Sequence, residues 1–383
     1  MTKVHAHGAA SAKQSHWIVK EIPVIIALCA GGAVLGHWHP SPSEESASVL
    51  WSLFLVACIL ASSMRAMMHA ESLAEHFGEP IGTIILTISA ITIEVAAVCA
   101  LMLGADGEPT VARDAMFAVL MIILNLLIGV VILIGAWRRT EAKFNLQSAG
   151  NYLSMIVALA TITLILPRFT RSAPGGWMSN PMEWFVAVTG LLIYIAFLWA
   201  QSSRHREFFE YREGESDRAA VHHHAPAERG VLRPVVLLIL ALVAVVLLAE
   251  GLAPTIHRVL ERATLPAPIG GVFIALLVLA PEALAAISAA RRHDMQRSIN
   301  VLLGSALATI GLTFPAIMVV RRISGRNPEF GLEAPYLVLL VATLFLASFN
   351  LTRGRVNIVH GFIHVLLFLT WIVVILDEAS VST

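Results

Sequence analysis

Two glutamates stand deep inside apolar sequence, and each follows the same local layout. Pro80-Ile81-Gly82 is followed by eleven residues and then Glu94, and Pro268-Ile269-Gly270 by eleven residues and then Glu282. From Pro to Glu is fourteen positions in both cases. A carboxylate at bilayer depth is costly and marks an ion or proton site. Two carboxylates facing each other in a dry site cannot both stay charged without a cation; otherwise a proton enters. Such a pair holds a cation or protons, never both fully, and that competition is the physical core of cation/proton exchange. Hard cations such as Ca²⁺ take carboxylate, carbonyl and hydroxyl oxygens.

Neighbouring groups extend the donor set. On a helix, Glu94 shares its face with Ala90, Thr87 and Thr83, and Glu282 with Val278, Ala275 and Gly271. Both faces are small or hydroxylated, which lets helices approach and supplies ligands. Pro281 precedes Glu282; inside a helix it removes one hydrogen bond and frees the carbonyl of Leu277 as a cation ligand. Asn125 lies midway along another apolar segment, and Ser305, Thr309 and Thr313 along a third. Thr87, Asn125, Ser305 and Thr309 are therefore expected to support the cation bound by Glu94 and Glu282. In the alternative, the hydroxyls bond back to their own helices and Asn125 joins two helices.

These groups need a membrane-spanning frame, and the chain supplies one. Of its 383 residues 57% are hydrophobic and only 14% charged, with a mean hydropathy of +0.77. That composition is one of a polytopic all-α membrane protein. Formal net charge is +0, so nothing points to nucleic acid. Cys29, Cys58 and Cys99 all lie in apolar runs and read as packing residues. The short apolar run at 22–37 is expected to be a retained helix rather than a cleaved leader.

Eleven spans of about 20 residues are expected. They fall at 21–37, 48–67, 80–103, 114–137, 149–167, 183–202, 232–253, 268–290, 299–320, 334–350 and 358–376. With the N-terminus inside and the C-terminus outside, 18 of the 26 Lys and Arg fall on the cytoplasmic face, counting those at the loop flanks. The two Glu-bearing spans then run in opposite directions. That is the signature of an inverted-topology repeat sharing one site. The expected organisation is a tail and extra helix at 1–47, a five-helix repeat at 48–202, a cytoplasmic linker at 203–231 and a second five-helix repeat at 232–383. The linker is polar and charged, and its His222-His223-His224 is expected to be solvated, with metal binding as the alternative.

Rival chemistries have weaker support. A channel needs a filter-like segment, and a primary pump needs a phosphate-binding Gly-rich loop or a large soluble domain; neither is present in the sequence. An intramembrane metal-dependent enzyme would use the two glutamates with further deep ligands. His360 and His364, four apart in the last span, have suitable spacing, but a hydrogen-bonding role is the simpler expectation.

Four stretches resemble a known family. They are Gly78-Glu-Pro-Ile-Gly82-Thr-Ile-Ile-Leu-Thr87-Ile-Ser89-Ala-Ile-Thr92-Ile-Glu94, Leu279-Ala-Pro281-Glu282 with Gln296 to Thr309, Phe144-Asn145 to Gly150, and Asn357 to His364. They are similar to the ChaA-type calcium/proton antiporters, in the cation exchanger branch of the cation/calcium antiporter superfamily. The resemblance runs from about residue 48 to the end. It implies eleven spans, two inverted halves, and Glu94 and Glu282 alternating between cation and proton. The expected activity is export of Ca²⁺, with Na⁺ or K⁺ open, against entering protons across a bacterial inner membrane. A monovalent cation/proton antiporter with little Ca²⁺ activity stands as the alternative. Ions, protons and the lipid bilayer are then the partners called for, the oligomeric state is left open, and no resident cofactor is required.

Overall fold

The computed structural model describes residues 4–36, 45–78, 85, 88–89, 91–95, 98, 109–137, 140–202, 230–262, 267–325 and 327–382. They are almost all helical. Among the described residues, eight helices are long and apolar enough to cross a bilayer, and Pro268–Val278 with Ala280–Arg291, counted as one bent span, makes nine. These nine match the expected spans from the second onward, the third excepted. That third span, 80–103, is described only in part; Pro80, Ile81, Gly82, Thr83, Thr87 and Ala90 lie outside the described residues, as do Cys99 and the triple His of the linker. The first helix, Val4–Leu35, starts well before the expected 21 and continues through Pro23.

Two cores organise the bundle. One joins the helices Val4–Leu35, Glu45–Phe77 and Leu232–Arg262 through Val24, Leu55, Ile59, Ala241 and Leu248. The other gathers the remaining helices around Val111–Ala136. Residues 116–124 of that helix are all buried. It is apolar around its whole circumference, so it can sit only where neighbours cover every side. Ile93 and Val278, one beside Glu94 and one just before the bend, pack into the first core. The glutamate-bearing segments thus lie between the two cores.

Among the described residues, three helices carry a π-helical turn, at Ile122–Leu127, Thr161–Ile165 and Thr309–Thr313. Such turns widen the helix locally and redirect side chains, and they gather at functional sites. Glycines let helices touch at two places. A Cβ on Gly190 would meet the Gly311 carbonyl oxygen at 2.9 Å, and one on Gly129 the Gly361 carbonyl oxygen at 3.0 Å.

The face expected to be cytoplasmic is tied by polar groups. Ala142–Lys143 pairs antiparallel with Arg355–Val356. Asn145 caps the next helix by accepting from the backbone N–H of Gln147 and Ser148. Its own N–H donates to Gln296 Oε1 at 2.6 Å, and Ser148 Oγ donates to Asn300 Oδ1 at 2.8 Å. Three of the four family-like stretches converge here, which gives Asn145, Gln296 and Asn300 a structural role.

Candidate functional site

Glu94 is buried, at 6% exposure, and is held from the other half of the chain. Thr309 Oγ1 donates to its Oε2 at 2.8 Å and Thr313 Oγ1 to its Oε1 at 3.4 Å. The two threonines, four apart, open and close the π-helical turn Thr309–Thr313. Glu282 is also buried, and lies close enough for its charge to bear on Glu94. Its Oε2 has no hydrogen-bond partner among the described residues. Neither carboxylate has an ion pair among the described residues. A buried charge without a counterion is strongly disfavoured, so the pair must take up a proton or a cation.

The span bearing Glu282 is broken. Pro268–Val278 and Ala280–Arg291 meet at Leu279 at 58°. Pro281 therefore stands in the first turn of a new helix, not within a continuous one. A missing N–H is tolerated there, because first-turn amides have no partner within the helix. Glu282 falls in that same first turn, where the helix dipole favours negative charge. Leu277, before the break, has a proline four residues on, so no amide at that position can bind its carbonyl.

A cavity of about 220 Å³ reaches Glu94. Its wall includes Val98, Thr110, Asp114, Gly271, Tyr336 and Trp371. Residues 109–114, 268–271 and 336 begin their helices and 371–375 near the end of theirs, so the cavity lies toward the face expected to be outside. Beside it, Arg113 is bonded to Asp114 Oδ1 at 2.8 Å, Glu329 Oε1 at 3.0 Å and the Gly331 carbonyl at 3.1 Å, which pins the segment 327–333 over the helix start.

The expected supporting groups divide. Thr309 contacts Glu94 directly; Ser305 is half-buried one turn earlier; Thr87 lies outside the described residues. Asn125 faces elsewhere. Its Nδ2 donates to Thr343 Oγ1 at 2.8 Å, and its Oδ1 lies 3.4 Å from His364 Nδ1. Ser89 and Thr92, near Glu94 in sequence, donate to the carbonyls of Ile85 and Ile88, their own helix's backbone. Thr313 was missing from the expected ligands, although its i+4 spacing from Thr309 places it on the same face. Asp114 and Tyr336 lacked any sequence signal linking them to Glu94. His360 and His364 hold hydrogen bonds: the Asn357 backbone N–H donates to His360 Nδ1 at 3.3 Å, and His364 bridges Asn125 and Asn350.

Known proteins resemble this chain in sequence and in fold. The sodium/calcium exchanger protein family matches residues 47–203 and 233–376. A "Putative ionic transporter y4hA" of Sinorhizobium fredii is 35% identical, over 92% of this chain and 93% of that protein. The "Sodium-potassium/proton antiporter ChaA" of Escherichia coli is 32% identical, over 87% of this chain and 91% of its own. Among solved structures, the "H+/Ca2+ Exchanger CAX" superposes with a TM-score of 0.69 at 15% identity, covering 97% of this chain and 91% of the other, a likeness of fold. The chain belongs to the sodium/calcium exchanger protein family, a multi-pass membrane family of transporters and not of enzymes.

Proposed function

We propose that this protein is a secondary antiporter that exchanges a cation for protons at Glu94 and Glu282. The observation that carries this is the buried carboxylate couple, without an ion pair among the described residues, with Thr309 and Thr313 on one member and, among those residues, an oxygen without a hydrogen bond on the other. Its charge has to be neutralised by something that enters. Ca²⁺ neutralises both carboxylates at once and prefers oxygen donors. Thr309, Thr313 and the Leu277 carbonyl would complete the shell, with Thr87 and Ser305 as further oxygens.

A second reading is exchange of Na⁺ or K⁺, in which one carboxylate keeps a proton. It is favoured by the threonine hydroxyls on Glu94 and by the sodium-potassium/proton antiport for which the Escherichia coli relative is named. In either case the protein works in the cytoplasmic membrane of a bacterium, N-terminus inside, exporting the cation. Proton flux in everted vesicles, with Ca²⁺, Na⁺, K⁺ and Mg²⁺ added in turn, tests both. Flux evoked by none of them overturns the proposal.

A further inference from the structure

Glu94 and Glu282 are 188 positions apart, and the same offset joins Met121 to Thr309 and Asn125 to Thr313. It also makes the π-helical turns overlap: Ile122–Leu127 maps onto 310–315, against Thr309–Thr313. Asn125 therefore holds in the first half the place that Thr313 holds in the second. Thr309 and Thr313 serve Glu94 across the halves, so the matching pair to serve Glu282 is Met121 and Asn125. A thioether has no hydrogen to donate. Asn125 alone could satisfy Glu282 or lend an oxygen beside it. The Ala280–Arg291 helix, which carries Glu282, packs against Ile128–Ala136, just past the π-helical turn of Asn125.

Yet Glu282 Oε2 has no partner among the described residues, and Asn125 is engaged with Thr343. Close approach at Gly129 and Gly361 brings the last helix against the central one. It sets His364, fully buried, beside Asn125. Asn350 Nδ2 lies 3.3 Å from His364 Nε2, and only the amide can donate if that nitrogen is bare. The proton is then on Nδ1, which lies 3.4 Å from Asn125 Oδ1, while the ring also bonds the Leu124 backbone and Asn125 Nδ2 donates to Thr343. The side chains Thr343, Asn125, His364 and Asn350 thus form one connected row, and His364 stands against the amide oxygen of Asn125.

We propose that His364 is a positioning residue for ion selection: by holding Asn125 it withholds an amide oxygen from the Glu282 side of the site. The withheld oxygen disfavours Ca²⁺, which takes six to eight oxygens, relative to a monovalent cation. This rests on Glu94 and Glu282 holding the cation, as proposed above.

The test is displacement of bound Ca²⁺ by K⁺ from the purified full-length protein, for wild type, His364→Leu, His364→Gln and Asn125→Ala/His364→Leu. His364→Leu should raise the preference for Ca²⁺ over K⁺ by about tenfold, the lower end of what outer-shell partners typically contribute. His364→Gln, which keeps an N–H for Asn125, should stay near wild type. The double variant should lose the gain. Asn350→Ala, on the neighbouring helix, gives a smaller shift of the same sign if His364→Leu fails to insert. An unchanged or lowered Ca²⁺ preference in His364→Leu, or a gain that persists without Asn125, overturns the proposal. Glu282→Gln, measured alongside, separates the two levels: if it leaves binding intact, the site itself is wrong; if it abolishes binding, a flat response from His364→Leu counts against the positioning role alone.

Discussion

Thr309 donates its hydroxyl to Glu94 at 2.8 Å across 215 positions of chain. One contact thereby joins the first glutamate to the second half of the molecule. A hydrogen bond to a charged group is worth about 1.5–3 kcal/mol. Thr309→Val should therefore lower apparent cation affinity by about tenfold or more, since 1.4 kcal/mol is a factor of ten. Thr313→Val, whose hydroxyl lies at 3.4 Å, should cost less. Thr309→Ser should restore most of the loss. Cation-dependent proton flux across a concentration series measures this, and equal affinity in wild type and Thr309→Val would contradict it.

The π-helical turn that carries both threonines is braced by a glycine contact. A Cβ on Gly190 would meet the Gly311 carbonyl oxygen at 2.9 Å. Gly190→Val should push the Asn180–Ser202 helix off that turn, destabilising by about 1–3 kcal/mol as overpacking does. Thermal unfolding in detergent should show a lower midpoint, and transport should fall with it. Gly32→Ala, where a Cβ meets nothing within 4 Å, is the control and should change neither.

Topology makes a separate prediction. Ser172, exposed in the turn after the fifth expected span, should label from the periplasmic side once replaced by Cys. A Cys at Arg292, exposed after the bent span, should label only from the cytoplasmic side. Labelling of both from one side would refute the assigned directions.

Much of the candidate site was legible in the sequence because period and spacing encode it. The paired fourteen-residue interval marked Glu94 and Glu282, and a hydroxyl amid apolar residues marked Thr309. Asn125 shows what spacing alone cannot give. Its depth was readable, but its partners Thr343 and His364 lie 218 and 239 positions away, and only packing decides which side it faces. Pro281 announced a disturbed helix. Whether the chain kinks around the proline or starts a new helix at it depends on what packs on either side, and here it breaks at Leu279. The cavity beside Asp114 and Tyr336 left no local trace, because it is a space between helices.

Abolition of exchange is the expected effect of either carboxamide substitution. Glu94→Gln and Glu282→Gln keep shape and burial while removing the charge that a cation must balance. Each should insert normally and transport nothing measurable in vesicles. Near-normal flux from either would contradict a shared site.

Proton release on cation binding tests the central claim most directly. A carboxylate couple without a counterion holds protons that an arriving cation must displace, and linkage makes the effect reciprocal. Adding Ca²⁺ to purified protein in weakly buffered detergent solution, then Na⁺ and K⁺ in separate runs, should release protons with the transported ion. Apparent affinity for that ion should rise with pH, and the Glu94→Gln/Glu282→Gln double variant should release none. Cation binding that releases no protons and ignores pH from about 6 to 9, the range in which an exchanging group must titrate to work, would contradict it.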